Sequence, residues 1–139
     1  MLMVKTKLGR SEIHGIGLFA DQFIPKGTTT WVFAPGFDLR VEHDDLLKLS
    51  EHARKMFWTY AYVDKFNSHY ILCFDDERFI NHSEEPNVIQ MRKDGEAEGI
   101  EVAARDIQPG EELLVNYYDF DKDADRKLKG LGIYGGKYD

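Results

Sequence analysis

Three short segments carry residue types that could do chemistry. The first, His14-Gly15-Ile16-Gly17-Leu18-Phe19-Ala20, sets two glycines two apart. That spacing lets a backbone bend tightly or approach a ligand closely. It is not a dinucleotide fingerprint, because the third glycine is missing and no strand–helix–strand unit surrounds it. The second is Arg78-Phe79-Ile80-Asn81-His82-Ser83, followed by Pro86-Asn87. Its amide, imidazole and hydroxyl groups form a polar loop that can either bind a ligand or satisfy buried backbone groups. The third, Pro109-Gly110-Glu111-Glu112-Leu113-Leu114-Val115-Asn116-Tyr117-Tyr118, is a turn feeding a strand that ends in two tyrosines. Those phenols can pack, or can orient a reacting group. Glu111 and Glu112 are not a catalytic carboxylate pair, since neighbouring strand residues point to opposite faces.

Other reactive residue types are sparse. Cys73 is the one cysteine of the chain. This excludes an intrachain disulfide and any zinc site built from several thiolates. It lies in an apolar stretch and reads as core. His43, His52 and His69 have no ligand-like spacing. Asp75-Asp76-Glu77 reads as a turn in preference to an acidic lip that attracts a cationic side chain.

The elements that must position these groups are short. With 139 residues, 42% of them apolar and 13% aromatic, the chain can build one well-filled core without staples. It is too rich in aromatics for disorder. No apolar run reaches the length of a membrane span or a signal-peptide core. Period-2 alternation predicts a strand over 2–8. Further strands are expected at 17–20, 28–33, 60–63, 69–74, 88–93, 99–105 and 113–116, separated by Gly, Pro and Asp turns. Leu46, Leu49, Ala53, Met56, Phe57 and Tyr60 recur at helical spacing over 44–60, and Ser50 is placed to start a second helix inside that stretch. The class is mostly β with one or two short helices.

Charge is uneven along the chain. Residues 1–63 carry a net +1, residues 64–125 a net −11 and residues 126–139 a net +3, giving −7 overall. An acidic middle repels phosphate backbones, which argues against nucleic acid as a direct ligand. It serves solubility, or it attracts a partner rich in Lys and Arg.

Taken together, the three segments resemble the SET domain, the fold of many protein-lysine N-methyltransferases. Five fixed positions in Asn81-His82-Ser83-x-x-Pro86-Asn87, each matched by chance about one time in twenty, carry much of that resemblance. It covers roughly residues 4–120 and is closest in style to the compact, stand-alone SET proteins of microbes or viruses. Residues 1–120 would then be the SET domain and 121–139 a C-terminal tail. The implied fold is a set of small sheets around a C-terminal pseudoknot, a threading that is rare in proteins generally.

The resemblance also implies roles. His14, Gly15 and Ile16 would hold S-adenosylmethionine through the backbone, with Asn81 and His82 at its amino-acid and adenine ends. Tyr117 would stand beside the departing methyl group. Phe33, Val115 and Tyr118 would belong to the lysine channel, with Gln90 and Val115 at positions where an aromatic often limits how many methyls fit. The reaction is in-line attack of a neutral lysine amine on a sulfonium methyl, needing neither metal nor covalent intermediate. A phenol near pKa 10 is a poor base at neutral pH, so an orienting role is expected for Tyr117.

One cysteine cannot build the zinc-binding C-terminal segment of many SET enzymes. A non-zinc cover is therefore expected from residues 118–139, through Phe120, Leu131 or Tyr134, or from the second subunit of a homodimer. The expected substrate is a Lys/Arg-rich, histone-like protein. The alternative is a catalytically silent SET-like module that binds basic peptides. The resemblance implies a cytoplasmic enzyme in a bacterium, or a nuclear or chromatin-associated one in a eukaryote or virus.

Overall fold

The computed structural model describes residues 1–129. Ten short strands and four short helices follow one another along the chain. In order they are β1 Thr6–Arg10, β2 Ile16–Ala20, β3 Thr29–Val32, β4 Leu39–Val41, α1 His43–Leu47, α2 Glu51–Tyr60, β5 Tyr62–Val63 and β6 Tyr70–Leu72. A 3-10 turn at Asp76–Phe79 follows, then β7 Asn81–His82, β8 Val88–Met91, β9 Ile100–Ala103, β10 Leu114–Val115, α3 Tyr117–Phe120 and α4 Ala124–Lys129.

The strands form four small sheets. β1 and β2 make an antiparallel hairpin, β8 and β3 flank β9, and β4 and β5 flank β6. The fourth sheet pairs β10 with β7 in parallel, Leu114 opposite Asn81 and Val115 opposite His82. Alternation is the cause of this layering: Leu18, Ala20, Ile71, Val88, Ala103, Ile107, Leu113 and Val115 all turn into one core around Trp31. Leu46, Phe57, Val63 and Leu72 form a second, smaller cluster under the helices.

The expected helical stretch divides as Ser50 suggested. Ser50 Oγ accepts from the Ala53 N–H at 3.3 Å and starts α2. Such a cap contributes about 1 kcal/mol. Two expectations shift. The strand expected at 2–8 is shared between two partners: Met3 N–H donates to the Thr30 carbonyl and Leu2 bridges to Trp31, whereas pairing with β2 begins only at Thr6. β4 is an additional strand, mostly exposed and too short to show a period.

The chain from Asp121 to Lys129 is pinned back onto the body. Asp121 is buried, and its Oδ1 accepts from the N–H of Val63 at 3.0 Å and of Asp123 at 2.9 Å. Its Oδ2 pairs with Lys127 Nζ at 2.6 Å, and that ammonium also donates to the Ala61 carbonyl. Arg126 pairs with Asp123 and donates to the Trp58 carbonyl. α4 is thus clamped to the end of α2 by buried charge. Removing one partner of such a pair strands the other away from water. Asp121→Ala is expected to cost about 3–5 kcal/mol, read from chemical denaturation. A loss well under 1 kcal/mol would show that α4 is held by something else.

Candidate functional site

The site is assembled by one loop gripping one strand. Asn87 Nδ2 donates to the Glu112 carbonyl at 2.8 Å, and its Oδ1 accepts from the Leu114 N–H at 2.8 Å. Ser83 N–H donates to the Val115 carbonyl, and Tyr117 N–H donates to His82 Nδ1 at 3.1 Å. His82 must be neutral at Nδ1 to accept. Partial burial supplies that condition, because it lowers the imidazole pKa against the opposing pull of Glu84 and Asp119.

The glycine-containing turn is held by side chains from both partners of that grip. Ser11 Oγ accepts from the Ile13 and His14 N–H groups and donates to Glu112 Oε2 at 3.0 Å. Asn81 Nδ2 donates to the His14 carbonyl at 3.0 Å, the Ile16 carbonyl at 3.2 Å and Glu112 Oε1 at 3.0 Å. Gly17 has no room for a side chain, since a Cβ there would sit 2.2 Å from Glu112 Oε1. Gly15 has φ +49° and open space where its Cβ would be. Glu112 is thus a positioning residue that the sequence reading did not single out. The parity argument separating it from Glu111 pointed the right way, because Glu111 turns outward to Arg105.

Tyr117 completes the arrangement. Its hydroxyl donates to the Ile80 carbonyl at 2.5 Å. Burial raises its pKa above the ordinary phenol value, and the charges of Asp121, Glu77 and Glu101 push the same way. The phenol therefore keeps its proton and is a hydrogen-bond donor, not a base. It lines a cavity together with Trp31, Tyr62, Ile80, Glu77, Glu101 and Lys127. Lys127 Nζ lies 5.6 Å from the Tyr117 ring centroid.

The family model described as SET domain matches residues 15–118. The chain belongs to the SET-domain family. This is a methyltransferase family whose methyl donor is S-adenosylmethionine. No curated protein matches the chain. Among solved structures, one similar to it is a Plasmodium falciparum protein described as a histone methyltransferase. The TM-score is 0.56 at 19% identity, covering 84% of this chain and 95% of that one. Another is the autoinhibited Chaetomium thermophilum Polycomb Repressive Complex 2 bound to S-adenosylmethionine, with TM-score 0.63, 24% identity and coverage of 91% of this chain and 17% of that one. The same complex bound to GSK126 gives TM-score 0.63 at 25% identity, covering 92% and 18%. The SET domain here spans less than a fifth of those Polycomb chains.

The residues present fit the methyl donor. The turn at His14–Ile16 is exposed and carries no Cβ at Gly15, so peptide groups can meet a ligand directly. Asn81 and His82 adjoin it, and the Ile80 carbonyl and Tyr117 hydroxyl bring two oxygens side by side. Paired oxygens suit an electron-poor methyl group through weak C–H···O contacts of about 0.5–1 kcal/mol each.

Of the expected channel residues, the structure does not bring Phe33 to the Tyr117 cavity. Its ring sits under the Arg40 guanidinium, 4.9 Å away, beside a different cleft lined by Glu96–Ile100. Phe33 lies just past the end of β3, whereas Trp31, within that strand, is buried at the cavity wall. Val115 is fully buried in the core and is not a cavity wall either. Tyr118 stands outside, with its hydroxyl on Asp125 and its edge toward His82. Gln90 packs against Gly99. Phe120 does line the cavity, stacked edge-on against Tyr62. Leu131 and Tyr134 lie outside the described residues.

Asn81→Ala removes the donors that hold the turn. It is expected to weaken S-adenosylmethionine binding tenfold or more, about 1.4 kcal/mol, by calorimetry. Unchanged affinity would remove Asn81 from the cofactor site.

Proposed function

We propose that this SET domain methylates the side-chain amine of lysine in a basic protein substrate, with S-adenosylmethionine as donor. The observation that carries the reading is the cavity beside Tyr117. It is aromatic, narrow and lined by a protonated phenol next to a backbone carbonyl.

When bound, S-adenosylmethionine supplies a methyl group on a positively charged sulfur. The chain's contribution is placement and electrostatics. His14, Gly15 and Ile16 present backbone groups to the donor. Asn81 and Glu112 hold that turn in place, and His82 fixes the backbone at Tyr117. Tyr60, Tyr62, Tyr117 and Phe120 offer aromatic walls, which favour an alkyl stem and a methylated ammonium. Lys127 and Asp121, both at the cavity wall, are paired with each other, so their charges largely cancel there. Holding two reactants in line is worth up to about 7–11 kcal/mol of barrier.

We assign the cover of this cavity to the segment after Tyr117. Phe120, Asp121 and Lys127 line it, and the charge clamp between α4 and α2 keeps them there. This is the part of the 121–139 tail that could stand in for a zinc-bound segment.

The preference for a basic substrate is carried by exposed acids. Asp75 does not contribute, because its carboxylate accepts from the Leu2 N–H at 2.7 Å and from the Glu77 N–H, and so fixes the fold. Glu84 and Glu85 are exposed beside His82. Such charges act first on association rate.

Two measurements test the function. Labelled methyl from S-adenosylmethionine should appear as methyl-lysine in hydrolysed core histones. Tyr117→Phe should lower that rate more than tenfold, about 1.4 kcal/mol or more of barrier, with cofactor affinity little changed. Label recovered on arginine or on small molecules, or a fully active Tyr117→Phe, would overturn the assignment. Charge reversal at Glu84 and Glu85 should raise the Michaelis constant for core histones severalfold and leave cofactor binding intact. An unmoved constant would make the acidic face a solubility feature.

A further inference from the structure

Two carboxyl groups share the cavity with Tyr117, and the roles assigned so far do not use them. Glu77, from the 3-10 turn, is 3% exposed, and Glu101, from β9, is 4% exposed. Both line the cavity. They hydrogen-bond each other, a contact that raises the Glu77 carboxyl and lowers that of Glu101 against the burial that raises both. Each keeps one oxygen, Glu77 Oε1 and Glu101 Oε2, without a hydrogen-bond partner among the described residues. The Tyr62 hydroxyl and Trp31 Nε1, buried in the same wall, are likewise unpartnered. Buried polar atoms left open around a cavity point to a polar occupant, since each costs about 1–3 kcal/mol unless something meets it.

We propose that the Glu77–Glu101 pair takes up the proton that a substrate lysine ammonium must lose before its nitrogen can attack, an inference that rests on the lysine methyltransferase reading. In the step, an N–H bond of the ammonium breaks and an O–H bond forms at Glu101 Oε2. The pair passes from one shared proton and one negative charge to two protons and none. The neutral amine then attacks the sulfonium methyl group, and the product leaves as a methylated ammonium. The extra proton returns to water when the cavity reopens.

Burial makes this transfer feasible. In water, moving a proton from lysine to glutamate runs uphill by about six pH units. Desolvation penalises both ions at once. Buried lysines are known with pKa about 5–6 and buried glutamates with pKa about 8–9, so the gap can close. Here burial raises both carboxyls, and for Glu77 the neighbouring Glu101 and Asp75 push the same way. The α-ammonium of Met1 opposes both shifts. Cys73, just past the end of β6, and Tyr62 of β5 feel the pair's charge, as does Tyr117, and each stays neutral. Arg78, Asp121 and Lys127 complete the charged groups at the cavity. Tyr117 cannot serve as this acceptor, because it already holds its proton and directs it at Ile80.

The test is a single-turnover pH–rate profile of the full chain, saturated with S-adenosylmethionine, on core histones. Glu77→Gln and Glu101→Gln are each compared with the unaltered protein. We expect each variant to react at least tenfold more slowly at pH 7, with the acid limb moved up by a pH unit or more. Rates should converge near pH 10, where lysine ionises unaided. In parallel, 13C resonances of labelled glutamate side chains should show a carboxyl titrating well above the ordinary range and vanishing in either variant. This second readout needs no activity and reports the pair even where a variant is slow. A rate loss equal at every pH, or profiles that superimpose, would overturn the inference while leaving the methyltransferase reading intact. No lysine methylation by the unaltered protein would overturn that reading, and this inference with it.

Discussion

The grip of residues 81–87 on residues 112–117 is the constraint on which the rest depends. β7 and β10 are only two residues long, too little for a sheet to be stable alone. Side chains extend the pairing: Asn87 brackets Glu112 and Leu114, and His82 takes the amide of Tyr117. Each bond contributes only about 0.5–1.5 kcal/mol net, but a broken one would leave a buried group unpaired. The same few residues therefore serve as structure and as site. Asn81 holds the cofactor turn because its backbone is already fixed in the sheet.

Electrostatics divides the interior into two regimes. Behind Tyr117 lie two buried carboxyl groups, Glu77 and Glu101, with no cation paired to them among the described residues. Below it, Asp121, Asp123, Arg126 and Lys127 are paired as full ions. The two meet at the cavity wall, where Lys127 reaches over the Tyr117 ring. For the proposed lysine methylation, a site that accepts a cation, removes its proton and releases a cation again would use both kinds of neighbour close together.

Much of this was legible in the residues. Turn chemistry and alternation located the strands at 17–20, 88–93 and 99–105 and the α2 start at Ser50, because each depends on local signals. The three motifs marked the site for the same reason, since each is contiguous. Less legible were residues whose role depends on what crosses over them. Phe33 was expected in the channel, but it falls just past the end of β3 and its ring faces Arg40. Asp75-Asp76-Glu77 reads as one acidic turn, yet Glu77 is buried and Asp75 is a cap. Glu101 did carry a signal: in Ile100–Ala103 it shares its face with the buried Ala103, so a charged side chain had to point inward. Glu112 had no such signal, since the buried Leu113 and Val115 share the parity of Glu111, and only the fold shows that it reaches Ser11 and Asn81.

The parallel pairing of β7 with β10 has a kinetic meaning as well. The β1–β2 hairpin joins near neighbours in the chain and can form early and independently. β3 with β9, and β7 with β10, join distant segments, and such closures are slow because chain entropy is lost before contacts repay it. The candidate site is thus built by a closure that no local hairpin can make alone. Whatever delays the docking of β10 on β7 leaves no place for either reactant.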